Sequence, residues 1–245
     1  IFSLTLAVLG LALVAATSNL LAAFLALMTL ISYNVVYTPM KRRHQLATLV
    51  GAVPGALPPM IGWVAARGAL TPEAWALFAI VFVWQIPHFM AIAWLYRDDF
   101  RRAGFPLLPV VDPDGRSTGV QAVLFAVVLV PVSLAPYFLR MSGGAYALGA
   151  AVGGLALLVL AVAFAMKRTN ERARALFLGE RLVTAVTVAQ GFLPLGRQLA
   201  EALPALAQLL AQARIFLQEA GALDGALDHG DEDVEVERLG QVVVG

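Results

Sequence analysis

The chain has 245 residues, of which 60% are apolar and 13% charged, with a mean hydropathy of +0.80. A soluble domain averages about 45–50% apolar and about 25% charged residues, so this composition lacks the polar surface that a water-exposed globule needs. Seventeen Lys and Arg against sixteen Asp and Glu leave a formal net charge of +1, too small a basic footprint for a nucleic-acid partner. The absence of cysteine removes disulfides, thiolate metal sites and a thiol nucleophile.

Residues 1–40 contain no Asp, Glu, Lys or Arg, and further stretches free of those four run over 44–66, 74–96, 117–139 and 141–166. A bilayer core takes about 20 apolar residues per spanning helix, so each of the last four stretches predicts one transmembrane helix. The opening 40 residues are long enough for two spans, with Thr17-Ser18-Asn19 as the polar turn and helix cap between them. Six spans are therefore expected before residue 167. Neither an initiator Met nor a basic leader precedes Ile1, which speaks against a signal peptide and for a fragment whose beginning is missing.

The Lys and Arg residues between these stretches number 3, 1, 4, 1 and 5 in chain order, alternating at every crossing. By the positive-inside rule the loops near 42, 97–116 and 167–181 are expected in the cytoplasm. Orientation alone is a sufficient reason for any one of these cations. Composition shifts again near 182: residues 1–181 carry 14 basic and 7 acidic side chains, and residues 182–245 carry 3 and 9. The first part is expected to be a membrane domain and the second an atypical tail. In that tail Leu182 to Leu195 suits a short seventh span, Leu199, Leu203, Leu206 and Leu210 an amphipathic helix, and Asp224 to Glu237 a solvated acidic run.

Three segments exceed what a generic span requires. Tyr37-Thr38-Pro39-Met40-Lys41-Arg42-Arg43 ends an uncharged helix with three cations, a cluster able to hold a diphosphate. From Gly51 to Trp63, Gly51 and Gly55 form a GxxxG face for close helix approach, while Pro54, Pro58 and Pro59 free backbone groups and predict a broken helix inside the bundle. From Trp84 to Val111, a continuous helix would set His88 eleven residues before Asp99, about 16 Å apart at about 1.5 Å per residue. An imidazole at membrane depth marks His88, with Gln85, as a functional candidate, the alternative being a hydrogen bond to a neighbouring helix. Asp98 and Asp99 either balance Arg97, Arg101 and Arg102 or bind a magnesium ion that bridges to phosphate oxygens.

Two motifs carry a resemblance over about residues 1–180. One is Tyr-Thr-x-x-Lys-Arg from Tyr37 followed by the Gly/Pro segment ending Ile61-Gly62-Trp63. The other is Trp84-Gln85-Ile86-Pro87-His88-Phe89 followed by Asp98-Asp99-Phe100, Ala103-Gly104 and Leu108-Pro109-Val110. Together they resemble the UbiA-type intramembrane prenyltransferases, in their heme-modifying protoheme IX farnesyltransferase (heme O synthase) branch. The resemblance implies an all-α polytopic transmembrane bundle, of which six or seven spans of a nine-helix fold are present, and a cavity open to the cytoplasm. It also implies that farnesyl diphosphate binds through Mg2+ and alkylates a vinyl group of heme b within the lipid bilayer of a bacterial inner membrane.

On that resemblance Asp98 and Asp99 hold the metal, while Lys41, Arg42 and Arg97 neutralise the leaving diphosphate. Tyr37, Gln85 and the aromatic walls of Trp84, Phe89, Trp94 and Tyr96 contact substrate, and His88 orients the heme, ligates its iron or moves a proton. Family members carry an earlier Asp-rich motif that has no counterpart here, so this chain is expected to lack half of the metal site and to be inactive alone. A tail unlike the family's closing helix begins near Gly179. The alternatives are a prenyltransferase acting on an aromatic quinone precursor and a non-enzymatic multi-span carrier.

Overall fold

The computed structural model describes residues 2–179, which are helices joined by short turns. In chain order they are α1 (Phe2–Thr17), α2 (Leu20–Met40), α3 (Ala47–Arg67), α4 (Pro72–Leu95), α5 (Arg97–Arg102), α6 (Leu108–Val111), α7 (Arg116–Phe138) and α8 (Gly144–Met166). A further helix covers 170–179. Five of them, α2, α3, α4, α7 and α8, are long and apolar enough to cross a membrane, and α1 is a shorter apolar helix of 16 residues. These six coincide with the six expected spans. The expected span at 182–195, the amphipathic helix at 199–210 and the acidic run at 224–237 lie outside the described residues.

Local chemistry sets the turns. Asn19 is extended (φ −158°, ψ 163°), and its Oδ1 accepts the Ala22 N–H at 2.8 Å, capping α2. Its Nδ2 donates to the Val64 carbonyl at 2.8 Å, which ties the start of α2 to the end of α3 and makes the two antiparallel. Gly68 then ends α3 in the left-handed region (φ 72°) that a Cβ disfavours. Pro72 opens α4, where a missing N–H costs nothing, and the Trp63 indole N–H donates to Thr71 Oγ1 at 3.0 Å across that turn.

Short connections alternate the helix directions, so the bundle has two unlike ends. One end gathers the 41–46 turn, the 96–115 segment and the 167–169 turn, with Lys41, Arg42, Arg43, Arg97, Arg101, Arg102, Arg116, Lys167 and Arg168. The turns at the other end carry only Arg67 and Arg140 as cations.

The main core lies between α4, α7, α8 and helix 170–179, where Ile86, Met90, Trp94, Leu129, Leu157, Phe164 and Leu176 are buried. Ala122, Ala126 and Ala161 are fully buried among them, small residues that let apolar helices pack backbone to backbone where lipid offers no hydrophobic drive. A smaller cluster of Leu25, Leu57, Met60 and Val64 joins α2 to α3. Val120, Leu124, Leu148, Val152 and Val159 stay exposed on the outer faces of α7 and α8, as a lipid-facing surface requires.

Two expectations need correction. The helix does not run on from His88 to Asp99: it stops at Leu95, Tyr96 adopts φ −107° and ψ 22°, and α5 starts afresh at Arg97. The Pro-rich segment is not broken either, because α3 is helical throughout despite Pro54, Pro58 and Pro59. Instead the irregular backbone is in α2, where Ser32–Tyr37 widens into a π-helical turn before Pro39. Asn34 Nδ2 donates to the Leu30 carbonyl (2.8 Å) and Thr38 Oγ1 to the Tyr33 carbonyl (2.9 Å), side-chain donors serving backbone oxygens in that turn.

The tightest helix crossing is at Gly119 of α7, where an added Cβ would fall 2.9 Å from the Ala165 Cα of α8. Gly119→Val is expected to destabilise the bundle by about 1–3 kcal/mol, read as an earlier midpoint in detergent-titrated unfolding. Gly143→Val, at a glycine with open space around it, should leave the midpoint within error.

Candidate functional site

A cavity of about 550 Å³ lies between α2, α3 and α4 and reaches the cation-rich end, where Phe100 and Leu107 complete its wall. From α2 come Thr29, Leu30, Tyr33 and Tyr37, and from α3 come Thr48, Gly51, Pro54 and Gly55. Gln85, Phe89, Ile92 and Ala93 form one face of α4, at spacings of three and four residues. Both motif segments thus meet on one space. The walls are mainly apolar and aromatic, with the Tyr33 and Tyr37 rings 5.2 Å apart on the π-helical turn.

The two glycines expected to bring helix backbones together seat side chains instead. A Cβ on Gly51 would fall 2.7 Å from Tyr37 Cε2, and a Cβ on Gly55 would overlap Gln85 Oε1. Gln85 is buried, at 7% exposure, and its Nε2 donates to the Val81 carbonyl at 3.1 Å and to the Ala52 carbonyl of α3 at 3.3 Å. Those two donations fix the amide orientation, and Oε1 is turned to Gly55 as the acceptor on the cavity side.

At the mouth, the Lys41 ammonium sits 5.6 Å over the Tyr37 ring, one helical turn after it. Arg42 and Arg43 are exposed in the same turn. Asp98 and Asp99 precede Phe100 on α5, and both are exposed. Asp98 Oδ1 pairs with Arg101 at 2.7 Å and Asp99 with Arg102, each three residues on. Such exposed pairs contribute about 0–1 kcal/mol and leave the carboxylates exchangeable.

The remaining expected site residues face elsewhere. Trp84 and His88 stand on the adjoining flank of α4: their rings stack with centroids 5.0 Å apart, and His88 packs 5.3 Å from Phe177 of helix 170–179 and meets the Phe89 ring edge-on at 5.7 Å. Arg97 turns to that helix as well: its guanidinium lies 4.6 Å over the Trp94 ring and donates to the Trp94 carbonyl (3.0 Å) and Asn170 Oδ1 (3.1 Å). Hence Tyr37, Gln85 and Phe89 are brought together in the cavity. Lys41, Arg42, Asp98 and Asp99 gather at its end of the bundle, while Trp84, His88 and Arg97 lie against helix 170–179. Sequence reasoning missed Tyr33, Thr48 and Phe100. The spacing of Tyr33 and Tyr37 by four residues was the available signal for the first, and Phe100 follows Asp99 directly.

Comparison with known proteins adds a family and a set of relatives. The model of the UbiA prenyltransferase family matches residues 1–186. A protoheme IX farnesyltransferase of Solibacter usitatus is 54% identical over 160 residues, covering 65% of this chain and 55% of that protein. The protein of the same name from Koribacter versatilis is 54% identical over 137 residues, covering 56% and 44%. That of Anaeromyxobacter sp. is 45% identical over 171 residues, covering 70% and 57%. The chain spans about half the length of the curated relatives it matches. No solved structure matches it significantly.

The seat of Gln85 in Gly55 has a measurable consequence. Gly55→Ala is expected to cost about 1–3 kcal/mol by driving the amide off its two carbonyls. Combined with Gln85→Ala, the loss should fall short of the sum of the single variants by about 1 kcal/mol or more. A double-mutant cycle of detergent-titrated unfolding reads this, and strict additivity would mean that the two residues do not share the contact.

Proposed function

The chain belongs to the UbiA prenyltransferase family, and from that premise we propose that it transfers a farnesyl group from farnesyl diphosphate to a vinyl group of heme b with release of diphosphate, water then adding to the cationic carbon and losing a proton to give the hydroxyethylfarnesyl group of heme O. One observation carries the reading. The Tyr37 to Trp63 segment and the Trp84 to Val111 segment, the two that resemble the heme-modifying branch, both line a single apolar cavity at the end of the bundle that carries Lys41, Arg42 and Arg43. The shared name of the relatives supports the same substrates.

An isoprenoid tail suits walls made of Leu30, Ile92, Ala93 and four aromatic rings, Tyr33, Tyr37, Phe89 and Phe100. Breaking the bond between an allylic carbon and diphosphate leaves a carbocation in need of electron-rich faces and protection from water, and these rings supply both. Negative charge grows on the departing diphosphate at the other end of the molecule. Lys41 and Arg42 stand at that end to neutralise it, with Lys41 held against Tyr37. Arg97 contributes charge from the same end while its contact with Asn170 orders the segment that follows α4.

Asp98 and Asp99 would hold a magnesium ion, a cation that proteins bind beside a phosphate substrate through one or two carboxylates. Their exposure and their weak arginine partners leave them open to such an ion. When bound, the ion supplies charge neutralisation at the leaving group. Trp84 and His88 act in this reading as positioning residues, since their stacked rings brace the flank of the helix that presents Gln85 and Phe89, with His88 against the Phe89 ring. The charged end faces the cytoplasm of a bacterial cell, with the bundle in the inner membrane, as the bias of Lys and Arg toward that end supports.

In nanodiscs the protein is expected to bind farnesyl diphosphate in a magnesium-dependent manner. Asp99→Asn should weaken that binding at least tenfold, as read by isothermal titration with and without the ion. Unchanged affinity would return Asp99 to pairing with Arg102 alone. In a full-length version, product analysis with heme b against a hydroxybenzoate identifies the acceptor, and prenylation of the benzoate in place of heme would overturn the assignment.

A further inference from the structure

Two substrates must meet for a prenyl group to change hands, and the cavity described so far suits the isoprenoid one. A second cavity, of about 460 Å³, opens at the same end between the 41–46 turn, α3, α6 and α7. Thr48 lines both cavities, so they share a wall. The rim of the second is polar, with Gln45, Arg116 and Ser117, and its depth is apolar, with Leu49 and Phe125.

Charge and access at this cavity are one-sided. No carboxylate lines it, and among the described residues none pairs with Arg116. Of the two carboxylates just before Arg116, Asp114 is exposed outside the cavity lining, and Asp112 is engaged elsewhere: its Oδ2 accepts the Thr118 N–H at 2.8 Å and the Thr118 hydroxyl at 3.0 Å. Arg42 and Arg43 stand exposed in the same turn as Gln45 and add to the positive rim. Val120 and Leu124 are 51% and 58% exposed on the outer face of α7, so the cavity opens sideways toward lipid. A ligand that fits has an apolar body, carries anionic oxygen along one edge, and arrives through the bilayer.

We propose that this second cavity is the acceptor site, taking a tetrapyrrole dicarboxylate with its apolar edge toward Thr48 and a carboxylate on Arg116. The proposal rests on the acceptor assigned above and names where that acceptor binds. A guanidinium receives a carboxylate through two parallel N–H donors, a geometry that an ammonium does not reproduce. The anionic head group of a phospholipid shares part of this chemistry. Proximity to the isoprenoid cavity across Thr48 favours the molecule that must react there.

The test uses the whole chain in nanodiscs of zwitterionic lipid, titrated with heme b and with heme b dimethyl ester and followed by the Soret band. The dicarboxylate is expected to bind at least tenfold more tightly than the diester. Arg116→Gln should erase that preference while farnesyl diphosphate affinity, measured in parallel, stays within twofold. Leu124→Trp, which fills the apolar depth from an exposed position, should weaken both porphyrins and leave the diphosphate unaffected.

A preference for the diacid that survives Arg116→Gln would overturn the proposal and leave the proposed reaction standing. Absence of porphyrin binding to an otherwise diphosphate-competent protein would remove both. Displacement of heme by added phosphatidylglycerol, with no diacid preference, would assign the cavity to lipid instead.

Discussion

A chain that spends its length in hydrocarbon must satisfy its own backbone, because an unpaired N–H or C=O there costs several kcal/mol. This chain strains that requirement with prolines at 39, 54, 58, 59, 87, 131 and 136, each of which removes a donor. Side-chain donors serve other carbonyls of the same helices. Asn34 and Thr38 donate to carbonyls in the widened turn of α2, and Gln85 donates across to the Ala52 carbonyl of α3. The Tyr146 hydroxyl donates to the Ser133 carbonyl, where α7 loosens before Pro136. Pro54 of α3 and the widened turn of α2 help enclose the cavity, and the Gln85 amide that bridges α4 to α3 lines it.

Short turns do the rest by forcing alternate directions. Once α2 and α4 run the same way, their C-terminal ends share one face of the bundle. Lys41 therefore comes to the same end as Asp98 and Asp99, although nearly sixty residues separate them in the chain. Opposite charges at that end do not collapse into one cluster, because Asp98 and Asp99 are paired within α5 and Lys41 is drawn onto an aromatic ring. The result is a mouth with weakly committed cations and anions, a condition a diphosphate and its metal need and a merely structural ion-pair network would not supply.

Hydropathy made the spans legible in the sequence, because a charge-free run of the length of a bilayer has few other uses. The Asn19 cap was legible for the same kind of reason, since a lone Asn between two apolar runs has to serve a helix end. Orientation within a helix was not. Trp84, Gln85, His88 and Phe89 read as one motif, yet successive residues on a helix point about 100° apart, and α4 is packed on several sides, so no exposed polar face betrays which residues look into the cavity. Gly51 and Gly55 were open to two readings, as a seam between helices or as seats for side chains, and only the positions of Tyr37 and Gln85 decide between them. The break at Tyr96 left no mark either, as neither Gly nor Pro accompanies it.

The motif on α4 therefore holds two kinds of residue that similarity alone does not separate. Gln85 and Phe89 meet whatever fills the cavity, whereas Trp84 stacks on His88, which in turn meets Phe177. A change at the second pair reaches the cavity through the His88 contact with the Phe89 ring, or by shifting α4, which would move Gln85 off Ala52 and Val81 together. Because Gly55 leaves no slack around that amide, small rotations of α4 are converted into loss of a defined hydrogen-bonded geometry rather than absorbed. Helix 170–179 packs on His88 through Phe177, and Ile92 of α4 stands between that helix and the cavity, so the helix is mechanically linked to the cavity without lining it.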